Sequence, residues 1–275
     1  MTLFDEIFTQ CRRHSKFLML IVLLPVLTAA ILSLVLPKEY LSKSSILPVN
    51  SRLTDKARYS SDEIAELYSA FGNGEDLDRL YATARSASVI MKMVDSFNLT
   101  GYYRLKHKKA YAPEAAAKEL TSSIDIRKTE YGELQIRVWD KEPQMASSIC
   151  NAIVDRIDKI HKELYQDFYA ASLQKMEQIY SQKLSLARAA DSTLKKNDST
   201  FLLGDELAAY RKSIADFRMA MQNPPPTLMV LEKAYPSVKA DKPRILLNVV
   251  LTFLVSLFTG IAAVLFFVSD KKKES

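Results

Sequence analysis

The chain has 275 residues, 48% of them hydrophobic and 25% charged, with 38 Lys+Arg against 32 Asp+Glu and a formal net charge of +6. So mild a surplus is no nucleic-acid signature, and the two cysteines, Cys11 and Cys150, build no disulfide framework. Six glycines and three scattered histidines, His14, His107 and His161, leave little from which to make a phosphate loop or a metal site.

In chain order, Phe4, Ile7, Phe8 and Cys11 fall at i, i+3, i+4, i+7 and predict a short interfacial helix. Phe17 to Leu36 follows as 20 uncharged residues, and Ile245 to Val268 as 24 near the other end. Both exceed the roughly 18 residues that cross a bilayer as helix. Pro25 inside the first predicts a kink that a membrane helix tolerates. Arg12, Arg13 and Lys16 precede the first run, and Lys271, Lys272 and Lys273 follow the second, which puts both termini in the cytoplasm. The 208 residues between, 37–244, are then exported, because loops beyond about 60 residues contribute little to the positive-inside rule.

The expected organisation is a cytoplasmic segment 1–16, spans 17–36 and 245–268, an exported α+β domain 37–244 and a cytoplasmic tail 269–275. Within the domain, Tyr40 to Val49 reads as a strand closed by Pro48, and Asp62 to Phe71 as a helix ended by Gly72-Asn73-Gly74. One helix is expected over Asp76 to Phe97, on the spacing of Leu77, Leu80, Tyr81, Ala84, Ala87, Met91 and Val94. The run Arg104, Lys106, His107, Lys108, Lys109 beside Tyr102, Tyr103 and Tyr111 reads as an exposed loop. It could also meet sugar rings or anionic headgroups.

Pro113 to Leu120 predicts a short helix, and Ile124/Ile126 and Leu134/Ile136/Val138 predict two strands turning at Tyr131-Gly132. The Tyr40 strand and a fourth over Leu228 to Ala234 are expected to join them in a small mixed sheet. From Pro143 a long helical hairpin extends to about residue 222. Its outgoing stripe is Ile149, Ile153, Ile157, Ile160 and Leu164, and Cys150 reads as a small apolar helix residue. The returning leg, about Phe201 to Gln222, carries Leu203, Leu207, Tyr210, Ile214, Phe217 and Met221 as a coiled-coil seam toward the outgoing helix. Lys195 to Ser199 is the expected outer turn, and Pro224-Pro225-Pro226 ends the hairpin. A return leg shorter than the outgoing one predicts a kink or break near Gln166 to Lys175.

No catalytic constellation, cofactor or metal site is expected. Gly72-Asn73-Gly74 lacks the third glycine of a dinucleotide loop, and acids such as Asp155 and Asp158 sit beside Arg156 and Lys159 as solvated faces do. The histidines read as surface residues. In the second span, Thr252, Ser256 and Gly260 repeat every four residues and offer a small-residue face to the first span or to another protomer.

Four segments in this order resemble the chain-length determinants, the Wzz-type polysaccharide co-polymerases of bacterial inner membranes. Tyr40-Leu-Ser-Lys-Ser-Ser-Ile-Leu-Pro48 is similar to that family's first strand after the span, and Arg85-Ser86-Ala-Ser-Val89 to its R-S-x-x-V helix. Leu134 to Pro143, with Asp140, Pro143, Ala146 and Asn151, resembles its strand and D-x-x-P-x-x-A helix start. Val230 to Pro236, with Ala234 and Pro236, leading through Pro243-Arg244 resembles its proline-rich approach to the last span, with Lys239 and Ala240 where the middle proline falls.

The resemblance implies a non-enzymatic homo-oligomer, a ring of exported domains in the inner membrane, that sets the length of O-antigen, lipopolysaccharide or capsule chains. The implied partners are its own copies, a polysaccharide polymerase, membrane lipid and a lipid-linked glycan, with no nucleic acid. The family's tyrosine-kinase extension is not expected after Ser275, which leaves a separate kinase as an alternative partner. A two-span sensor is the remaining alternative, for which short tails and uncharged spans offer little.

Overall fold

A computed structural model describes residues 15–49, 72–105, 111–191, 198–222 and 226–273. They form two compact units, one made of the described residues up to Leu41, Asp140–Pro143 and those from Ser237 on, the other of those from Ser42 to Trp139 and Gln144 to Pro236. The interfacial stripe from Phe4 to Cys11, the Asp62–Phe71 helix and the four residues Lys106–Lys109 lie outside the described residues, as does most of the outer turn.

In the first unit, α1 (Ser15–Val35) and the last helix, α8 (Ile245–Lys273), are both long and apolar enough to cross a membrane. At 1.5 Å per residue, α8 is roughly 43 Å long, more than a ~30 Å hydrocarbon layer needs. It therefore continues through the lysines that the sequence placed in a tail after Val268. Pro25 lies within α1, which is one continuous helix, and Thr28 Oγ1 donates to the Pro25 carbonyl at 2.8 Å. The two helices pack on one another. A short strand, β5 (Ala240–Lys242), precedes α8 and pairs antiparallel with the first residues of β1 (Glu39–Pro48), Tyr40 opposite Ala240 and Glu39 opposite Lys242.

The second unit is built on a sheet of order β2-β3-β1-β4, with β2 Ile124–Lys128, β3 Leu134–Asp140 and β4 Leu228–Glu232. β2 and β3 form an antiparallel hairpin with Ile126 opposite Ile136. Its loop needs Gly132, whose φ of 77° falls where a side chain is disfavoured. Alternation along β3 turns Leu134, Ile136 and Val138 inward. β4 pairs antiparallel with β1, Pro48 opposite Leu228. Gly72 donates its N–H to the Pro48 carbonyl at 2.8 Å, and an added Cβ would stand 2.9 Å from the Pro48 ring, so the chain crosses β1 here only as glycine.

The helix expected over Asp76 to Phe97 is two helices, α2 (Gly74–Ala84) and α3 (Ala87–Ser96). Asn73 and Asp76 form a reciprocal capping box at the start of α2. The break falls at Ser86, which is extended and caps α3 by accepting from the Val89 N–H at 3.4 Å. Restarting the helix changes its phase. Val89, Ile90, Met93 and Val94 are the buried positions of α3, while Ala87 is exposed. One turn, α4 (Leu99–Tyr102), and α5 (Ala112–Ser122) complete this layer.

The helix α6 (Pro143–Asp191) runs 49 residues without the break expected near Gln166 to Lys175. Closure comes from the return path. The helix α7 (Asp198–Gln222) packs back on α6, where the Tyr169 ring meets Phe217 edge-on at 5.7 Å. Thr227 Oγ1 donates to Asp158 at 2.7 Å before β4 begins. The lower half of α6 is packed in the core through Ile149, Cys150, Ile153 and Ile157.

Candidate functional site

Several residues of the four resembling segments make local caps or clamps. Ser86 is the cap already described, and Val89 is fully buried. The Arg85 guanidinium lies 5.3 Å from the centre of the Tyr81 ring and bonds its hydroxyl. Asp140 accepts the Glu142 N–H at 2.9 Å just before Pro143 opens α6, and Ala146 is buried one turn on. Asn151 has the most specific task. Its Nδ2 donates to the Ala234 carbonyl and its Oδ1 accepts the Ala234 N–H, both at 3.0 Å, so one side-chain amide satisfies both backbone groups of Ala234. Pro236 is exposed two residues later, and Pro243 follows a cis peptide at Lys242. Tyr40 and Pro48 stand at the two ends of β1.

The upper hairpin is held differently. Tyr169 and Ile214 are buried in the seam, and Leu207, Tyr210, Phe217 and Met221 are half-buried along it. Around the seam run ion pairs Glu177–Arg218 at 2.5 Å and Lys183–Glu206 at 2.7 Å, and Arg211 donates to the Tyr180 hydroxyl at 3.0 Å. These bonds raise the Lys183 and Arg211 pKa values above their ordinary ones. Exposed pairs of this kind contribute little individually. Leu164 (59% exposed), Phe168 (63%) and Leu186 (65%) remain uncovered on α6.

Several polar side chains differ from the surface roles expected of them. Asp158 is tied to both Thr227 and Lys162, so it is a tether to the strand connection. His161 is half-buried and bonds the Thr83 hydroxyl at 3.0 Å. Its burial lowers the pKa, Arg79 adds to that, and Asp158 opposes it. Tyr102 and Tyr103 pack against the core, their ring centres 5.4 Å apart. Cys150 is a core residue whose thiol is pushed up to about 12 by burial, a thiol without nucleophilic character. Among the described residues, no three His, Cys, Asp or Glu side chains group as metal ligands.

In the first unit, a Cβ on Gly260 would meet Ile21, Leu18 and Val22 of α1 at 3.5–3.8 Å, so the two helices approach closely there. Ser256 is buried on the same face, Thr252 is half-buried, and Asn248 Nδ2 donates to Ser33 Oγ at 3.4 Å. Nearer the helix ends, a cleft of about 1250 Å³ is lined by the end of α1, the start of β1, β5 and the first turns of α8.

No family model matches the chain, and no curated protein matches it. Among solved structures it is similar to a full-length bacterial polysaccharide co-polymerase at 12% identity, covering 96% of this chain and 97% of that one, with a TM-score of 0.47. It is also similar to a fragment of the polysaccharide co-polymerase WzzB from Salmonella Typhimurium, at 10% identity over 75% of this chain and 100% of that one, TM-score 0.41. A third likeness is to a point mutant of the lipopolysaccharide O-antigen chain-length regulator WzzBSF from Shigella flexneri, at 12% identity over 74% and 100%, TM-score 0.29. These are members of the family that the four sequence segments resemble. All three scores lie below 0.5.

Proposed function

We propose that this chain is a non-enzymatic membrane scaffold that regulates the chain length of a surface polysaccharide, such as O-antigen, lipopolysaccharide or capsule, as a homo-oligomer working with a polymerase. The observation that carries this reading is the arrangement of parts. Two membrane-length helices bracket an α+β unit from which a helical hairpin extends, and the residues of the family likeness fasten that arrangement at its turns and crossings. Caps and clamps of this kind organise a scaffold, and the hairpin leaves apolar side chains on its surface for neighbouring copies.

The basic residues flanking the spans favour cytoplasmic ends and a periplasmic central domain in a bacterial inner membrane. Lipid, and a lipid-linked glycan, would then be near neighbours of the juxtamembrane unit. The test is the surface-polysaccharide length profile on a gel, from cells with the gene, without it and with it restored. A modal distribution that flattens on deletion and returns on restoration supports length regulation. An unchanged profile sinks it, and copurification of a tyrosine kinase would then move the chain to an adaptor role in exopolysaccharide export.

A further inference from the structure

We propose that the cleft in the first unit is a binding site for one anionic phospholipid, with its phosphate held by Lys38 and Lys239 and an acyl chain along α8. Its lining changes character along its length. At the strand end it presents Lys38, Lys239, Lys242 and Arg244 against a single acid, Asp241. Two of those cations are already occupied, Lys242 with Glu39 at 3.1 Å and Arg244 with Asp241 at 3.0 Å. Lys38 and Lys239 are exposed and have no acidic partner among the described residues.

They come from opposite ends of the sequence, and both line the cleft where β1 pairs with β5, Tyr40 facing Ala240. Past this cationic end the wall is hydrocarbon: Leu247, Val250, Leu251 and Leu254 of α8, all uncovered by protein. From Leu246 to Leu254 the helix rises roughly 12 Å, close to the depth of one leaflet of a ~30 Å hydrocarbon layer. Free cations at one end and one leaflet's depth of leucines at the other match a single amphiphile with a negative head. The volume exceeds the roughly 300–1,000 Å³ of ordinary small-molecule pockets. Such a lipid would seal the junction of strand and helix and fix how the chain leaves the membrane.

This inference shares with the proposed function only that the two helices cross a membrane. No glycan enters its test, so it can fail while length regulation stands, and the reverse. The full-length chain in non-ionic detergent is titrated with dioleoylphosphatidylglycerol or dioleoylphosphatidylcholine, and retained lipid is counted by native mass spectrometry. At about 1 kcal/mol per juxtamembrane lysine, the two free lysines should favour the anionic lipid roughly 30-fold.

The double variant Lys38→Gln/Lys239→Gln should bring the anionic lipid down to the level of the zwitterionic one. Lys38→Arg/Lys239→Arg should keep the preference, and Lys212→Gln on α7 should leave it unchanged. Equal retention of the two lipids by the unaltered chain would overturn the proposal, as would a glutamine double variant that still prefers the anionic lipid. Displacement of phosphatidylglycerol by a polyprenyl diphosphate at far lower concentration would also overturn it, and would give the cleft to a carrier lipid.

Discussion

The two halves of α6 are one helix with two environments. Up to Ile157, its side chains Ile149, Cys150, Ile153, Val154 and Ile157 are buried in one core with residues of the sheet and of α2, α3 and α5. From Leu164 on, α6 meets α7 in a narrow seam with ion pairs at its edges, and Leu164, Phe168 and Leu186 remain exposed. Two helices bury only facing stripes, whereas a sheet with a helical layer encloses a helix on most sides. The lower half therefore carries the stability of the unit, and the upper half is the part free to meet other molecules.

Truncation in the lower half should have the largest effect. Ile157→Ala leaves a cavity among residues that cannot relax outward and should cost about 2–5 kcal/mol, a fall of several degrees in Tm followed by circular dichroism of the full-length protein. A change below 1 kcal/mol would mean that this half is no better packed than the hairpin.

Next is the clamp on the strand exit. Asn151→Ala removes both bonds to Ala234, and leaving those backbone groups unpaired should cost about 1–3 kcal/mol. Hydrogen exchange should show the loss first at the Ala234 amide, ahead of the rest of β4. Exchange rising evenly over the whole unit would contradict a local clamp.

A smaller effect is expected from His161, whose folded pKa is lowered from its ordinary 6.5 chiefly by burial. Above that value the ring is neutral in both folded and unfolded chains. As pH falls below 6.5 the unfolded chain takes the proton first, so stability declines until the folded pKa is passed. Tm should thus be lower at about pH 5.5 than at about pH 7.5, and His161→Gln should reduce that difference. An identical pH dependence in the variant would assign the effect to other groups.

Much of this contrast is legible in the residues, where partners are close in sequence or repeat with a period. The alternation of Leu134, Ile136 and Val138 identifies β3, and the 4, 3, 4, 3, 4 spacing from Leu203 to Met221 identifies the returning helix. Local periodicity misleads where a cap interrupts it. A helical stripe runs from Leu77 through Met91 on paper, but Ser86 restarts the helix and puts Val89 and Met93 inward instead. It also misses what distant residues decide. Thr227 bonds Asp158 from 69 residues away, and the half-buried His161 bonds Thr83 from 78 residues away. Nothing in the local sequence around Lys38 announces that Lys239 lines the same cleft.

The smallest expected effect on folding is also the one that separates the two halves most cleanly. Phe168 projects from the upper half with 63% of its surface uncovered, its ring edge against Tyr169 at 5.9 Å. Phe168→Ser should leave Tm nearly unchanged, within about 0.5 kcal/mol, because little that the unit itself buries is lost. If copies of the chain associate through this half, the same substitution should weaken that association. Burying one large apolar side chain is worth about 1.5–3 kcal/mol, and every protomer of a closed ring would lose it. Light scattering of the full-length protein in detergent, at falling concentration, reads this directly. An oligomer that dissociates earlier in Phe168→Ser at equal Tm makes the uncovered half of α6 an assembly surface, whereas a lower Tm with unchanged assembly would make Phe168 part of the hairpin's own packing and move the assembly surface elsewhere.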